Sequence, residues 1–280
     1  MVSRRLKRTV PALVAGAGLA LIAGIAGAAP QPEVGLGLPR DVSADGHRID
    51  WLIQVTLAFT VILFVIMCVW MLWAAIKHNK DHVAEYDHGD ARHQVRFAAG
   101  LSALIFFVVD GNLWVNSTID VNEVFWNFTK AEAAPNVVRI EINAHQWAWD
   151  ARYAGPDGKF NTADDIIALN DIYVPVDAPV VLQLAAADVI HSFYLPNFRI
   201  KQDAMPGMLN KIWFQPKQTG QFDIACAQHC GTNHYKMKGT LHVLSTEEFA
   251  KWSAEASANA VRAYDAADEG AHWGWDWRAD

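Results

Sequence analysis

The chain has 280 residues, a formal net charge of −7 and a hydrophobic fraction of 52%, enough for one sizeable domain plus membrane-spanning segments. From residue 117 onward, 13 Lys and Arg against 21 Asp and Glu leave a net charge of −8, which argues against nucleic acid as a partner and for a basic protein. There is no internal repeat, Gly-rich phosphate loop or nucleophile elbow to suggest nucleotide or serine-hydrolase chemistry.

The N-terminus carries Arg4, Arg5, Lys7 and Arg8, then an apolar, small-residue stretch from Val10 to Gly27 and the tripeptide Ala26-Gly27-Ala28. This pattern predicts a cleaved secretory signal over residues 1–29, followed by an exported N-terminal segment over 30–50. Trp51 to Ile76 is uninterrupted apolar sequence, closed by Lys77-His78-Asn79-Lys80. It exceeds the roughly 20 residues that span a bilayer, and Cys68 within it reads as a small packing residue. A second stretch, Phe97 to Val115, follows Arg92 and Arg96 and is interrupted by Asp110-Gly111-Asn112. Residues 51–116 are therefore expected to form a transmembrane hairpin. Lys77, Lys80, Arg92 and Arg96 place its connection in the cytoplasm and everything after residue 116 outside. Asp110 is expected at the outer interface, because a carboxylate facing lipid is costly. The irregularly spaced His78, His82, His88 and His93 mark a solvated loop.

Beyond Asn116 the pattern changes to short alternating runs at Val137–Asn143, Asp171–Val176, Val180–Ala186, Lys211–Gln215, Gln221–Ala225 and Thr240–Leu244, punctuated by Pro and Gly. Such runs predict an antiparallel sandwich or small barrel. The loop Gly155–Asp165 is acidic but lacks the closing Glu and the spacing of a calcium loop, and reads as a solvated turn. Ser245-Thr-Glu-Glu248 predicts a capping box opening a helix. That helix and an aromatic tail with Trp273, Trp275 and Trp277 make up residues 246–280; for the tail, a partner contact and disorder both stay open.

The chemistry concentrates in Cys226-Ala-Gln-His-Cys230-Gly-Thr-Asn-His234-Tyr-Lys-Met237. Soft sulfur ligands select copper or iron–sulfur chemistry, and His with Met narrows the choice towards copper. A second imidazole, His191, lies upstream. Two thiolates, two imidazoles and a thioether exceed the needs of a mononuclear blue-copper site and suit two copper ions sharing both sulfurs. A disulfide between the two cysteines leaves the recurring His and Met unexplained. Zinc sites favour Cys and His over Met.

Together with Ala144-His-Gln-Trp147-Ala-Trp149, Asp188-Val-Ile-His191-Ser and Lys201-Gln-Asp-Ala-Met-Pro-Gly207, this loop resembles subunit II of the heme–copper cytochrome c oxidases. The resemblance covers nearly the whole chain and is most specific from Glu141 to Met237. It implies two transmembrane helices in a bacterial-type inner membrane, then an all-β cupredoxin-like Greek-key sandwich over residues 117–245 on the outer, periplasmic face. It implies a dinuclear copper A centre in which Cys226 and Cys230 bridge both ions and His191 and His234 each bind one. Met237 and the Gln228 carbonyl are then weak ligands to opposite ions, and Trp147 is the point where electrons enter. The implied role is electron transfer from a soluble or tethered cytochrome c to heme in subunit I, where oxygen is reduced; other oxidase subunits are further partners.

Three positions depart from the family pattern. Gln228 replaces the usual Glu, so a magnesium site shared with subunit I is not expected. Residues 92–97 lack the carboxylate that feeds a proton path in relatives, and Met208 stands where Arg often follows Pro-Gly. Two other functions stay open from the residues alone: the same module serving a nitric oxide reductase, and a copper-delivery protein, for which the enclosed ligand set is unsuited. No Cys-x-x-Cys-His heme motif is present.

Overall fold

The computed structural model describes residues 38–267 and 273–274. The signal-peptide reading of residues 1–29, the first part of the exported segment, and Trp275 and Trp277 lie outside the described residues. The chain divides into two units, one holding Asp50–Thr118 and the other holding the residues up to Ile49 together with those from Ile119.

The first unit is built from two helices long and apolar enough to cross a membrane. Helix α1, Gly46–Lys77, has 32 residues, about 48 Å at 1.5 Å per residue. Helix α2 covers residues 92–125. It is α-helical over Arg92–Ile105 and Gly111–Asp120, with π-helical turns at Phe106–Asp110 and Val121–Phe125. The expected interruption at Asp110-Gly111-Asn112 is thus a widened turn inside a continuing helix, because a π turn absorbs an extra residue without ending the hydrogen-bonded chain.

The second unit is a β-sandwich. Its strands are β1 Val138–His145, β2 Ala148–Tyr153, β3 Ile166–Leu169, β4 Asp171–Pro175, β5 Val180–Ala186, β6 His191–Leu195, β7 Ile200–Ala204, β8 Asn210–Phe214, β9 Gly220–Cys226 and β10 Lys238–Leu244. They form two five-stranded sheets, in the orders β3-β2-β1-β5-β8 and β4-β10-β9-β6-β7. The antiparallel expectation needs correction. Each sheet contains one parallel pair, β1 with β5 and β4 with β10, in registers such as Ile140 opposite Leu182 and Leu241 opposite Ile172.

One apolar core lies between the sheets. Ile140, Ile142, Leu182, Leu184 and Trp149 of the first sheet meet Phe193, Leu195, Ile224, Leu241 and Val174 of the second, all essentially inaccessible to solvent. Burying a Leu, Ile or Phe side chain contributes about 1.5–3 kcal/mol, so this core carries most of the fold's stability. Tyr153 joins the sheets, since its hydroxyl accepts from the Tyr173 N–H at 2.8 Å and donates to the Tyr173 carbonyl at 3.1 Å. Helix α3, Phe128–Glu132, packs on β5 and β8. Helix α4, Thr246–Ala263, packs on β3, β4 and β10 and stacks Trp252 on Tyr173 at 4.5 Å. The Ser245 capping box forms as the sequence predicts, with Oγ accepting from the Glu248 N–H and the Glu248 carboxylate accepting from the Ser245 N–H. In the tail, the Trp273 ring lies over the Arg152 guanidinium at 4.3 Å.

Residues 38–45, ahead of α1, belong to the sandwich. Val42 is 1% exposed in the core. Its N–H donates to the Asn197 carbonyl at 2.9 Å, and its carbonyl accepts from Lys217 N–H at 2.8 Å. Arg48, three residues before the apolar run, pairs with Asp120 at 2.7 Å, which fastens the start of α1 to the end of α2's second α-helical stretch.

Candidate metal centre

Three inter-strand connections meet at one end of the sandwich: the β1–β2 turn at Gln146–Trp147, the β5–β6 segment at Asp188, and the β9–β10 loop at residues 227–237. The last is closed at its base by Cys226 N–H donating to the Met237 carbonyl at 3.2 Å, and tied to β6 by Ala227 N–H donating to Ser192 O at 2.9 Å. His191 opens β6 and Cys226 ends β9, so both sit on the rigid sheet.

The donors converge. Cys226 Sγ and Cys230 Sγ are 3.7 Å apart. Cys226 Sγ is 4.0 Å from His191 Nδ1 and 3.2 Å from the Gln228 carbonyl oxygen. Cys230 Sγ is 3.6 Å from His234 Nδ1 and 3.7 Å from Met237 Sδ, which in turn is 3.2 Å from His191 Nδ1. The ligand atoms of His191, Cys226 and Cys230 lie within 4.8 Å of one another. His191, Cys230 and Met237 are buried, Cys226 and His234 half-buried, and only Gln228 is exposed.

The cysteines are free thiols, and 3.7 Å between sulfurs is far beyond a disulfide bond of about 2.05 Å. A single structural zinc takes four ligands, and thioether is not among them. Two sulfurs, two ring nitrogens, a thioether and a carbonyl make six donors. They are more donors than one ion needs, with Met237 Sδ beside His191 Nδ1, His234 beside Cys230 Sγ and the Gln228 carbonyl beside Cys226 Sγ.

The electrostatics prepare these groups for a metal. His191 Nε2 is 2.9 Å from Asp188 Oδ1, which leaves Nδ1 for ligation. Asp188 is fixed by N–H donors from Gln146 at 2.7 Å and Val189 at 2.6 Å. Burial would raise its carboxyl, but His191 and these two donors hold it below the usual range. Burial is the largest influence on Cys226 and opposes its ionisation, but hydrogen bonds from the His191 ring, the Ser192 and Gln228 backbone and the His234 ring together outweigh it and lower the thiol to about 6. Burial and the neighbouring Cys226 push Cys230 up to about 12. In the metal-free protein, therefore, one sulfur ionises well before the other.

Trp147 and Trp149 have separate fates. Trp149 is fully buried, edge-on to His191 at 6.1 Å and to Phe193 at 5.1 Å. Trp147 is half-buried at the rim, and its Nε1–H donates to the Cys230 carbonyl at 3.2 Å. Gln146 Nε2 donates to the same oxygen at 2.8 Å. Gly231 makes this approach possible: its φ is 116°, and a Cβ there would sit 2.8 Å from Gln146 Nε2 and 3.3 Å from Trp147 Cζ2. Sequence reasoning gave Asp188 and Gln146 no role. Gln146 acts through contacts across 42 and 84 residues of chain, which no local spacing reveals, whereas Asp188 stands three residues before His191, a spacing that could have suggested the pair.

The sequence model of the family described as cytochrome C oxidase subunit II, periplasmic domain, matches residues 138–243, the span that holds every donor. Over that span the chain is similar to the cytochrome c oxidase subunit II family. Among relatives of this family, the alternative cytochrome c oxidase subunit 2 of Bradyrhizobium diazoefficiens is 33% identical over 139 residues, 42% of this chain and 50% of the relative. The cytochrome c oxidase subunit 2 of Cereibacter sphaeroides is 26% identical over 260 residues, 81% of this chain and 82% of the relative. The chain thus spans about half the length of the first of these subunit II relatives. A crystal structure of the periplasmic domain of subunit II of the cytochrome oxidase of Bradyrhizobium japonicum is 32% identical, with 44% of this chain and 94% of that one covered and a TM-score of 0.39.

Proposed function

We propose that this chain is the electron-transfer subunit of a terminal respiratory oxidase. It takes electrons from a soluble or tethered cytochrome c at a dinuclear copper A centre and passes them to heme in a membrane-embedded partner subunit, where oxygen is reduced. The observation that carries this reading is the convergence of two imidazoles, a thioether and a backbone carbonyl on two sulfurs 3.7 Å apart.

Cys226 and Cys230 would bridge both copper ions, His191 with Met237 would complete one, and His234 with the Gln228 carbonyl the other. When bound, the copper pair supplies a one-electron carrier. The protein's part is to fix the ligands on strand ends and a short, internally bonded loop, so that little moves when charge arrives. Trp147 offers an indole at the protein surface bonded directly to the main chain of Cys230, a short covalent and hydrogen-bonded route inward. The acidic domain steers a basic donor towards it. Magnesium is not part of this proposal, because Gln228 offers a neutral amide where a carboxylate would be needed.

The same reading makes the chain a multi-pass protein of a bacterial-type inner membrane with the copper domain on the outer face. In its support, the segment before α1 and the chain after α2 belong to the same folded unit, so the helical pair must cross an even number of times. Residues 1–29 are proposed as a cleaved signal.

The test is purification of the complex with metal and heme analysis and a donor-oxidation assay under oxygen and under nitric oxide. Two copper ions per chain, co-purifying heme and oxygen-dependent oxidation of cytochrome c are expected. One copper ion, or zinc alone after copper reconstitution, would sink the reading.

A further inference from the structure

Two donors meet on one carbonyl at the metal end of the sandwich. Gln146 Nε2 and Trp147 Nε1 both donate to the Cys230 oxygen, at 2.8 and 3.2 Å. A backbone carbonyl carries two lone pairs, so these bonds fill its capacity and fix the peptide plane from which the Cys230 side chain departs. The Gln146 bond is the shorter, and Gly231 leaves room for it, since a Cβ there would lie 2.8 Å from Gln146 Nε2.

The main chain of Gln146 holds a second ligand. Its N–H donates to Asp188 Oδ2 at 2.7 Å, while Asp188 Oδ1 meets His191 Nε2 at 2.9 Å and accepts from Val189 N–H at 2.6 Å. One residue therefore reaches both a proposed bridging thiolate and a proposed imidazole ligand. Its turn follows the last rung of the β1–β2 ladder, His145 opposite Ala148, in one sheet. His191 and Cys226 lie on β6 and β9 of the other. Gln146 thus fastens the two sheets together at the metal end. Its own side chain is exposed and fills no part of the core, so its contribution is orientation rather than burial.

We propose that Gln146 is a positioning residue for the copper pair. Its amide aims the Cys230 sulfur and keeps Trp147 bonded to the same peptide, so that electron entry and reduction potential are set together. A hydrogen bond to the carbonyl of a thiolate ligand draws electron density away from the metal and favours the reduced state, as hydrogen bonding around a copper-bound sulfur does. A peptide held by two donors also moves little when charge arrives. This inference rests on the copper reading above and concerns only how the ligands are held.

The experiment expresses the full chain with its native partner subunits and compares wild type with two variants. Gln146→Met keeps the stem and removes the donor, and Gln146→Glu sets carboxylate oxygens against the carbonyl; the main-chain bond to Asp188 survives in both. Copper per chain, melting temperature, reduction potential with no donor protein present, and cytochrome c oxidation are measured. Both variants should keep two copper ions and the wild-type melting temperature. The potential should fall in the order wild type, Met, Glu, because the added negative charge favours the oxidised pair. Donor oxidation should slow about fivefold or more, the worth of one hydrogen bond. An unchanged potential in Gln146→Met would overturn the proposal even if oxidation slowed, since it would leave Gln146 a role in donor docking alone. Loss of copper together with melting temperature in both variants would also overturn it, by making the residue structural. A wild-type chain without two copper ions would instead overturn the copper reading.

Discussion

The indole nitrogen of Trp147 and the carbonyl of Cys230 are joined by a 3.2 Å hydrogen bond. A surface aromatic is thereby coupled to the backbone of a proposed bridging ligand. Trp149, two residues away, is fully buried beside His191. The pair separates transfer from structure. Trp147→Ala should leave copper content and melting temperature nearly unchanged while sharply slowing oxidation of cytochrome c, even at saturating donor. Trp149→Ala should cost about 3–5 kcal/mol of stability and lower copper occupancy together with turnover. Equal loss of stability in both variants would end the distinction.

Gly231 gives a second handle on the same contact. Gly231→Ala must hold a side chain at φ 116° and push aside Gln146 and Trp147, a strain of about 1–3 kcal/mol. Donor oxidation should slow more than copper is lost, because the cysteines stay on their own strand and loop. Copper titration and stopped-flow oxidation on one preparation check this.

The ligands should divide into those that hold and those that tune. Cys226→Ser and Cys230→Ser should each abolish the dinuclear centre. Met237→Leu should keep two copper ions but shift the reduction potential and slow electron flow, since an axial thioether adjusts the site more than it anchors it. Gln228→Ala should keep both ions, because the proposed donor is the main-chain carbonyl. Loss of one ion in that variant would assign the role to the side chain.

Acidification should loosen helix α4 first at its N-terminus. The Ser245 hydroxyl and backbone N–H hold Glu248 below its ordinary value of 4.5. A carboxyl depressed in the folded state contributes stability above its unfolded value, and that contribution is lost as pH falls through the folded one. Helix content followed by circular dichroism should therefore drop earlier in wild type than the core near-ultraviolet signal. Ser245→Ala should remove the pH-dependent part.

The metal loop was legible because five of its six donors fall between Cys226 and Met237, where spacing alone implies proximity. Strand β5 was legible at its observed bounds because it is an apolar run broken only by Gln183. Strands β2, β3, β6 and β7 were not. Arg152 interrupts β2 yet is buried beneath Trp273 and the 161–165 turn, β6 is buried on both faces, and β7 is mostly polar. The parallel pairs β1–β5 and β4–β10 join segments distant in sequence, so local alternation carries no trace of them. Gln146 was hidden for the same reason.

The placement of Val42 governs the order of assembly. The first portion of the sandwich to be synthesised must wait for residues 197 and 217, which provide its hydrogen-bond partners, and both long helices are made in between. Val42 therefore takes its place in the sandwich only after both long helices have been synthesised. A fragment beginning at residue 117 would lack a plug for its own core.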